Sequence, residues 1–183
     1  MIDRYNFYGV IKQNFGGLKQ SQVNGINFLL DSMEKDISMS DNRFKAYALA
    51  TVKHETANTY LPIHEIGKGA GHPYAPVYYG RGYVQLTWIS NYDKFSKLLK
   101  IDLIDDPKDP NDNNDPDKVT SPEVAYKIMS LGMVNGLFTG VGLKNYINKF
   151  KCDYKNARKI INGLDCADKI AGYATIFERA LTN

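Results

Sequence analysis

Two glutamates ten residues apart, Glu55 and Glu65, stand just upstream of the run Tyr78-Tyr79-Gly80-Arg81-Gly82-Tyr83-Val84-Gln85-Leu86-Thr87. A pair of carboxyl groups beside a Gly-, Tyr- and Gln-rich segment is the equipment that cleavage of a glycosidic bond requires. One carboxylic acid protonates the leaving oxygen, the other works on the opposite face of the sugar, and aromatic and amide groups hold the rings. Alone, each acid reads as an ordinary surface residue. Their joint proximity to that segment is what points to chemistry.

Other chemistries fit less well. His54 and His64 each precede a Glu, but a zinc-protease helix needs a second His four residues after the first, and position 58 is Asn. No metal or cofactor is expected. There is no Gly-x-Ser-x-Gly elbow, and neither Cys152 nor Cys166 has an adjacent His. These cysteines are expected as two reduced thiols. Asp102 to Asp117 holds seven Asp opposed only by Lys108; calcium-loop spacing fails there, with no Gly at the turn, so a solvated surface loop is expected.

The elements that must position the acids are mostly helical. Apolar residues recur at helical spacing after Ser21 (Val23, Ile26, Leu29, Leu30, Met33), and again after a Ser40 or Asp41 cap (Phe44, Tyr47, Ala48, Ala50, Val52). Glu55 ends this second helix on the face of Ala48 and Val52, so its carboxyl emerges from a packed small-residue stripe, a setting suited to a general acid. Glu65 lies on an irregular loop between Pro62 and the glycines 67, 69 and 71. A third helix opens at Ser90, and Ser121-Pro122-Glu123 signals a fourth: a cap, Pro at the first position, an acid near the positive dipole end. Further helices fit residues 142–150, 154–161 and 166–181. The one strand-like region is residues 74–88, a small hairpin or extended segment, along which Gln85 and Thr87 share a side.

The 183 residues read as one domain, 1–183, able to bury a continuous core. An apolar share of 43% and a charged share of 23% are those of a globular protein. No apolar run is long enough for stable membrane insertion, and no secretory signal is visible at Met1–Asn6. Net charge is +3, which is compatible with an anionic polymer such as cell wall and too weak to argue nucleic acid.

Three segments resemble glycoside hydrolase family 19. Ala48–Thr56 is similar to the family's first-glutamate helix. Tyr79-Gly80-Arg81-Gly82-Tyr83-Val84-Gln85-Leu86-Thr87 with Asn91-Tyr92 resembles its Gly-Arg-Gly-x-x-Gln-Leu-Thr/Ser…Asn-Tyr signature, and Ala157–Gly163 its third motif. Phe15–Val23 resembles the phage and prophage endolysin branch, as does the ten-residue spacing of the acids. The resemblance implies a mainly α, lysozyme-like, two-lobed helical domain whose small β-hairpin lobe lines a glycan cleft. It implies an inverting mechanism: Glu55 as general acid, Glu65 as general base, Thr87 helping to hold the attacking water. Gln85, Tyr92 and Asn162 match substrate-binding positions, with Tyr79 and Arg81 of the signature grouped beside them. Lys169 stands near the place where plant members carry an Arg beside the acid.

The function expected is that of an endolysin-type peptidoglycan hydrolase. It would cut the β-1,4 bond between N-acetylmuramic acid and N-acetylglucosamine as a monomer, without cofactor or separate wall-binding module. It would be made in the cytoplasm and released to the wall through a holin-type pore. Chitinase action on chitin oligosaccharides is the alternative, since the linkage is shared. An inactive glycan-binding protein is the alternative from another class, against which the retention of both acids and Thr87 counts.

Overall fold

A computed structural model describes residues 1–105 and 116–182. The described residues form six α-helices: α1 Arg4–Phe15, α2 Gln20–Lys35, α3 Asn42–Glu55, α4 Ile89–Leu99, α5 Pro122–Asn135 and α6 Ala167–Thr182. Among the described residues, no helix is long and apolar enough to cross a membrane.

The central helix is α3. Asp41 caps it, its carboxylate accepting the Arg43 backbone N–H at 2.9 Å. Every residue from Phe44 to Lys53 is buried, because Ala46, Ala48 and Ala50 let neighbours pack closely on all sides. Its broadest partner is α6, against which α1 also lies. Helix α1 goes beyond the elements expected from the sequence, because its apolar stripe is thin: only Phe7 and Ile11 are buried. Each is fully enclosed against the core and contributes about 1.5–3 kcal/mol. Phe7 stacks on Phe177 of α6 with centroids 6.3 Å apart.

Beyond Glu55 the chain reverses sharply. Ala57, Asn58 and Tyr60 all have positive φ, a conformation costing of order 1 kcal/mol or more per non-glycine residue. Tyr60 is nevertheless fully buried. Its carbonyl lies where a side chain on Gly25 of α2 would sit, 2.4 Å from that Cβ position. Glycine at 25 is what lets α2 hold this turn and so fix the exit of the chain from Glu55.

A small lobe follows. Strand β1 (Ile63–His64) pairs antiparallel with β2 (Arg81–Gly82), Ile63 opposite Gly82 and His64 opposite Arg81. A further bridge joins Arg81 to Leu86. The strand-like region expected at 74–88 therefore turns back on itself at Arg81–Leu86 and also pairs with the residues just before Glu65.

Two helices expected at 142–150 and 154–161 are instead short 3-10 turns, Leu143–Asn145 and Asn156–Ile160. An Ile147–Cys152 bridge joins the segments. Asp153 caps the second turn, its carboxylate taking the Asn156 backbone N–H at 3.0 Å, and the bonds beyond it span three residues, as from the Arg158 N–H to the Lys155 carbonyl at 3.3 Å. Cys152 and Cys166 are free and exposed. The acidic loop lies for the most part outside the described residues.

Candidate active site

A cleft of about 470 Å³ runs between the helical body and the small lobe, and both acids line it. Thr87, Gln85 and Asn162 line it too, with Tyr74, Gly80, Trp88, Asn91, Phe138 and Ile161 among the other walls. Residues from the end of α3, the β1–β2 loops and the 156–162 segment thus converge on one space.

Glu55 reaches the cleft from the last residue of α3, and its immediate partner is not apolar. Arg158 donates from Nη1 to its Oε1 at 2.5 Å, and the two side chains are 3% and 15% exposed. Arg158 is itself held by a 3.1 Å bond from Nε to the Asp165 carbonyl. The guanidinium beside Glu55 is that of Arg158, one of the residues of the third motif. Lys169 sits instead with its Nζ 5.9 Å from the Tyr173 ring. Burial lowers the pKa of the neighbouring His54 imidazole, favouring its neutral form.

Glu65 is held by a different set of donors. Its Oε2 accepts the Gly80 backbone N–H at 2.8 Å, and its Oε1 accepts the Tyr74 hydroxyl at 3.1 Å. Its own N–H donates to the Gly80 carbonyl at 2.7 Å. Desolvation, then the Glu65 carboxylate, raise the Tyr74 phenol above its usual range. The Tyr74 ring is fixed between His72, stacked at 5.0 Å, and Trp88, edge-on at 5.0 Å. Neither Tyr74 nor Arg158 was singled out by sequence spacing. The only signal for Arg158 was its place in the third motif, and Tyr74 left none.

Gly80 is a point of close approach. A Cβ there would lie 3.3 Å from Glu65 Oε2 and 2.9 Å from Gln85 Oε1. We expect Gly80→Ala to cost about 1 kcal/mol of stability or less, because both neighbours are side-chain ends that can yield. Displacing Glu65 should nonetheless slow by up to about 10²-fold any reaction in which this carboxylate takes part. Melting temperature and initial rate measured together check this, and an unchanged rate would count against Glu65.

Thr87 donates its hydroxyl proton to the Gln85 carbonyl at 2.8 Å, which leaves its oxygen lone pairs free to accept from the cleft. Asn91 donates to the Thr87 carbonyl at 2.9 Å. Gln85 and Trp88 both adopt positive φ, at 53° and 74°, strain of a kind that concentrates at functional sites. Gln85 and Thr87 reach the cleft from this tight loop, not from one face of a strand. Asn162 accepts the Gly163 N–H at 2.8 Å while lining the cleft, so it both ends its turn and faces the space.

Tyr79, Arg81 and Tyr92 do not line the cleft, and their expected contact with substrate is corrected. They are 4%, 5% and 0% exposed. Arg81 donates to Asp117 at 2.6 Å, to the Val77 carbonyl at 2.7 Å and to the Tyr92 hydroxyl at 3.0 Å. Tyr92 in turn donates to the Tyr79 carbonyl at 2.8 Å, and the guanidinium lies 3.7 Å from the Tyr79 ring centroid. Burial pushes the Tyr92 hydroxyl up to about 12. The Gly-Arg-Gly signature so ties β2 to α4 and to the Pro116–Thr120 turn from behind. Its charged residue builds the loop; its glycine and glutamine meet the cleft.

No protein-family model matches the sequence, and no curated protein matches it. Among solved structures, the chain is similar to chitinase C from Streptomyces griseus HUT6037, with a TM-score of 0.66. The likeness covers 98% of this chain and 76% of that chain at 19% sequence identity. The fold is chitinase-like. It is the mainly α architecture with a small two-stranded sheet that the family 19 resemblance implied. In this chitinase-like fold the cleft containing Glu55 and Glu65 is framed by the pieces that carried the resemblance.

Proposed function

We propose that this chain is a glycoside hydrolase that cuts the β-1,4 glycan of peptidoglycan by an inverting two-carboxylate mechanism. The observation that carries the reading is the pair of acids on one cleft, each held by donors of a different kind. Glu55, beside a buried guanidinium, gives its proton to the glycosidic oxygen, and Arg158 receives the carboxylate that remains. Glu65, oriented by a backbone amide and a phenol, takes a proton from a water on the other face of the ring. That water donates to Thr87, whose own proton is committed to Gln85. Gln85 and Asn162 offer amides to N-acetyl sugars, and Trp88, 46% exposed, offers an apolar face.

The endolysin reading of the substrate rests on the resemblance of Phe15–Val23 and on the spacing of the acids. Chitin is the second reading, and the chitinase neighbour favours it. Purified protein should clear a peptidoglycan suspension faster than it releases ends from glycol chitin, with mass spectrometry placing the new reducing end on N-acetylmuramic acid. Proton NMR during the first turnovers on a soluble oligosaccharide should show the α-anomer. Release from chitin alone would transfer the activity to chitin, and an initial β-anomer would reject inversion.

A further inference from the structure

The cleft absorbs the acids and their supports but not the charge of the segment leading to it. Residues 144–159 hold Lys144, Lys149, Lys151, Lys155, Arg158 and Lys159 against one acid, Asp153, a net +5. The whole chain carries +3, so the remainder is −2. Arg158 turns inward on Glu55, and Lys155 pairs with Asp168 at 2.9 Å. The other four lysines are exposed and form no ion pair among the described residues.

At the middle of the segment is a tight turn, in which the Asn148 N–H donates to the Lys151 carbonyl at 2.9 Å. It presents Phe150, 85% exposed, with Lys149 Nζ 4.7 Å from the ring centroid; Lys151 follows it in the chain, its Nζ 5.7 Å from the Tyr146 ring centroid. The turn is anchored. The Asn148 amide donates to the Lys144 carbonyl at 2.9 Å, its side-chain oxygen accepts the Phe150 N–H at 2.9 Å, and Arg43 donates to its carbonyl at 3.0 Å.

A single exposed Phe needs no explanation. A Phe held at the tip of a fixed turn and flanked in the chain by two lysines without ion pairs among the described residues is different. That pairing of ring and charge suits the headgroup boundary of an anionic bilayer, where ammonium groups meet phosphates and the ring meets acyl chains. A dissolved polyanion would engage the lysines and leave the ring in water. We infer that the Asn148–Lys151 turn, with its flanking lysines, is a peripheral docking surface for an anionic phospholipid bilayer. Arg43, which holds the turn, lies near the start of α3 and Glu55 at its end, roughly 18 Å apart at the helical rise. The bilayer and the glycan therefore take separate surfaces.

The test is co-sedimentation of the intact chain with vesicles at low salt. Binding is expected to phosphatidylglycerol-containing vesicles and not to phosphatidylcholine alone. Lys149→Glu with Lys151→Glu should lower partitioning at least about twentyfold, from roughly fivefold per lysine charge removed. Phe150→Ser should lower it severalfold while keeping its salt dependence. Melting temperatures should stay at the parent value, since these side chains are exposed. Equal binding to both vesicle types, or parental partitioning of the double variant, would overturn the inference. So would parental partitioning of Phe150→Ser with full displacement by soluble polyphosphate, which would assign the lysines to a dissolved polyanion.

Discussion

Glu55→Gln should reduce glycan turnover by about 10³–10⁴-fold, the upper range for loss of a general acid, while leaving the fold in place. An amide cannot give a proton to the leaving oxygen. Its carbonyl can still accept from Arg158 Nη1, which in the parent donates to Glu55 Oε1, so the guanidinium is not abandoned. Exchanging a charged acceptor for a neutral one costs about 1 kcal/mol, or roughly 2–4 °C in melting temperature at this chain length. Glu55→Ala is expected to be worse in both respects, because it leaves a buried cation unpaired at about 3–5 kcal/mol. Initial rates on a soluble oligosaccharide, paired with thermal melts, check both variants. A Glu55→Gln protein that melts near the parent and turns over at the parental rate would remove Glu55 from the mechanism.

Glu65→Gln should be severe but less so, about 10²–10³-fold, because water can attack a well-stabilised cation with weaker assistance. The amide fits the same pocket. Its oxygen can take the Gly80 N–H while its nitrogen donates to Tyr74, whose hydroxyl turns to accept. Stability is therefore expected to move little, and the loss should fall on kcat. Glu65→Ala opens space on the water side, so added azide should restore part of the rate and give a glycosyl azide of inverted configuration. A retained configuration in that product, or full activity of the amide, would refute the assignment of Glu65 as base.

Caps and helical periodicity are written within a few neighbouring residues, so α3 after Asp41 and α5 after Ser121-Pro122 were legible, and with them the placement of Glu55 at a helix end. The acids, Thr87, Gln85 and Asn162 came with short motifs, and all of them reach the cleft. Helix α1 did not announce itself, since two buried side chains make a weak stripe until α6 covers them. The 3-10 turns after α5 differ from the longer helices expected there because the Ile147–Cys152 bridge turns the chain between them, a pairing that periodicity does not contain.

Other features belong to tertiary structure alone. Arg158 and Glu55 are 103 residues apart, and only packing brings one cation against one carboxylate. Tyr74 reaches Glu65 because His72 and Trp88 fix its ring, a geometry with no signature in spacing. Tyr79, Arg81 and Tyr92 share a motif with cleft residues yet point behind it, because the tight loop at Gly82–Gln85 turns Gln85 toward the cleft and Arg81 toward Asp117. Residue type and spacing thus determined which chemistry the chain is equipped for. Which side chains face the cleft and which merely hold its wall was decided by long-range packing, because orientation depends on partners that no local window contains.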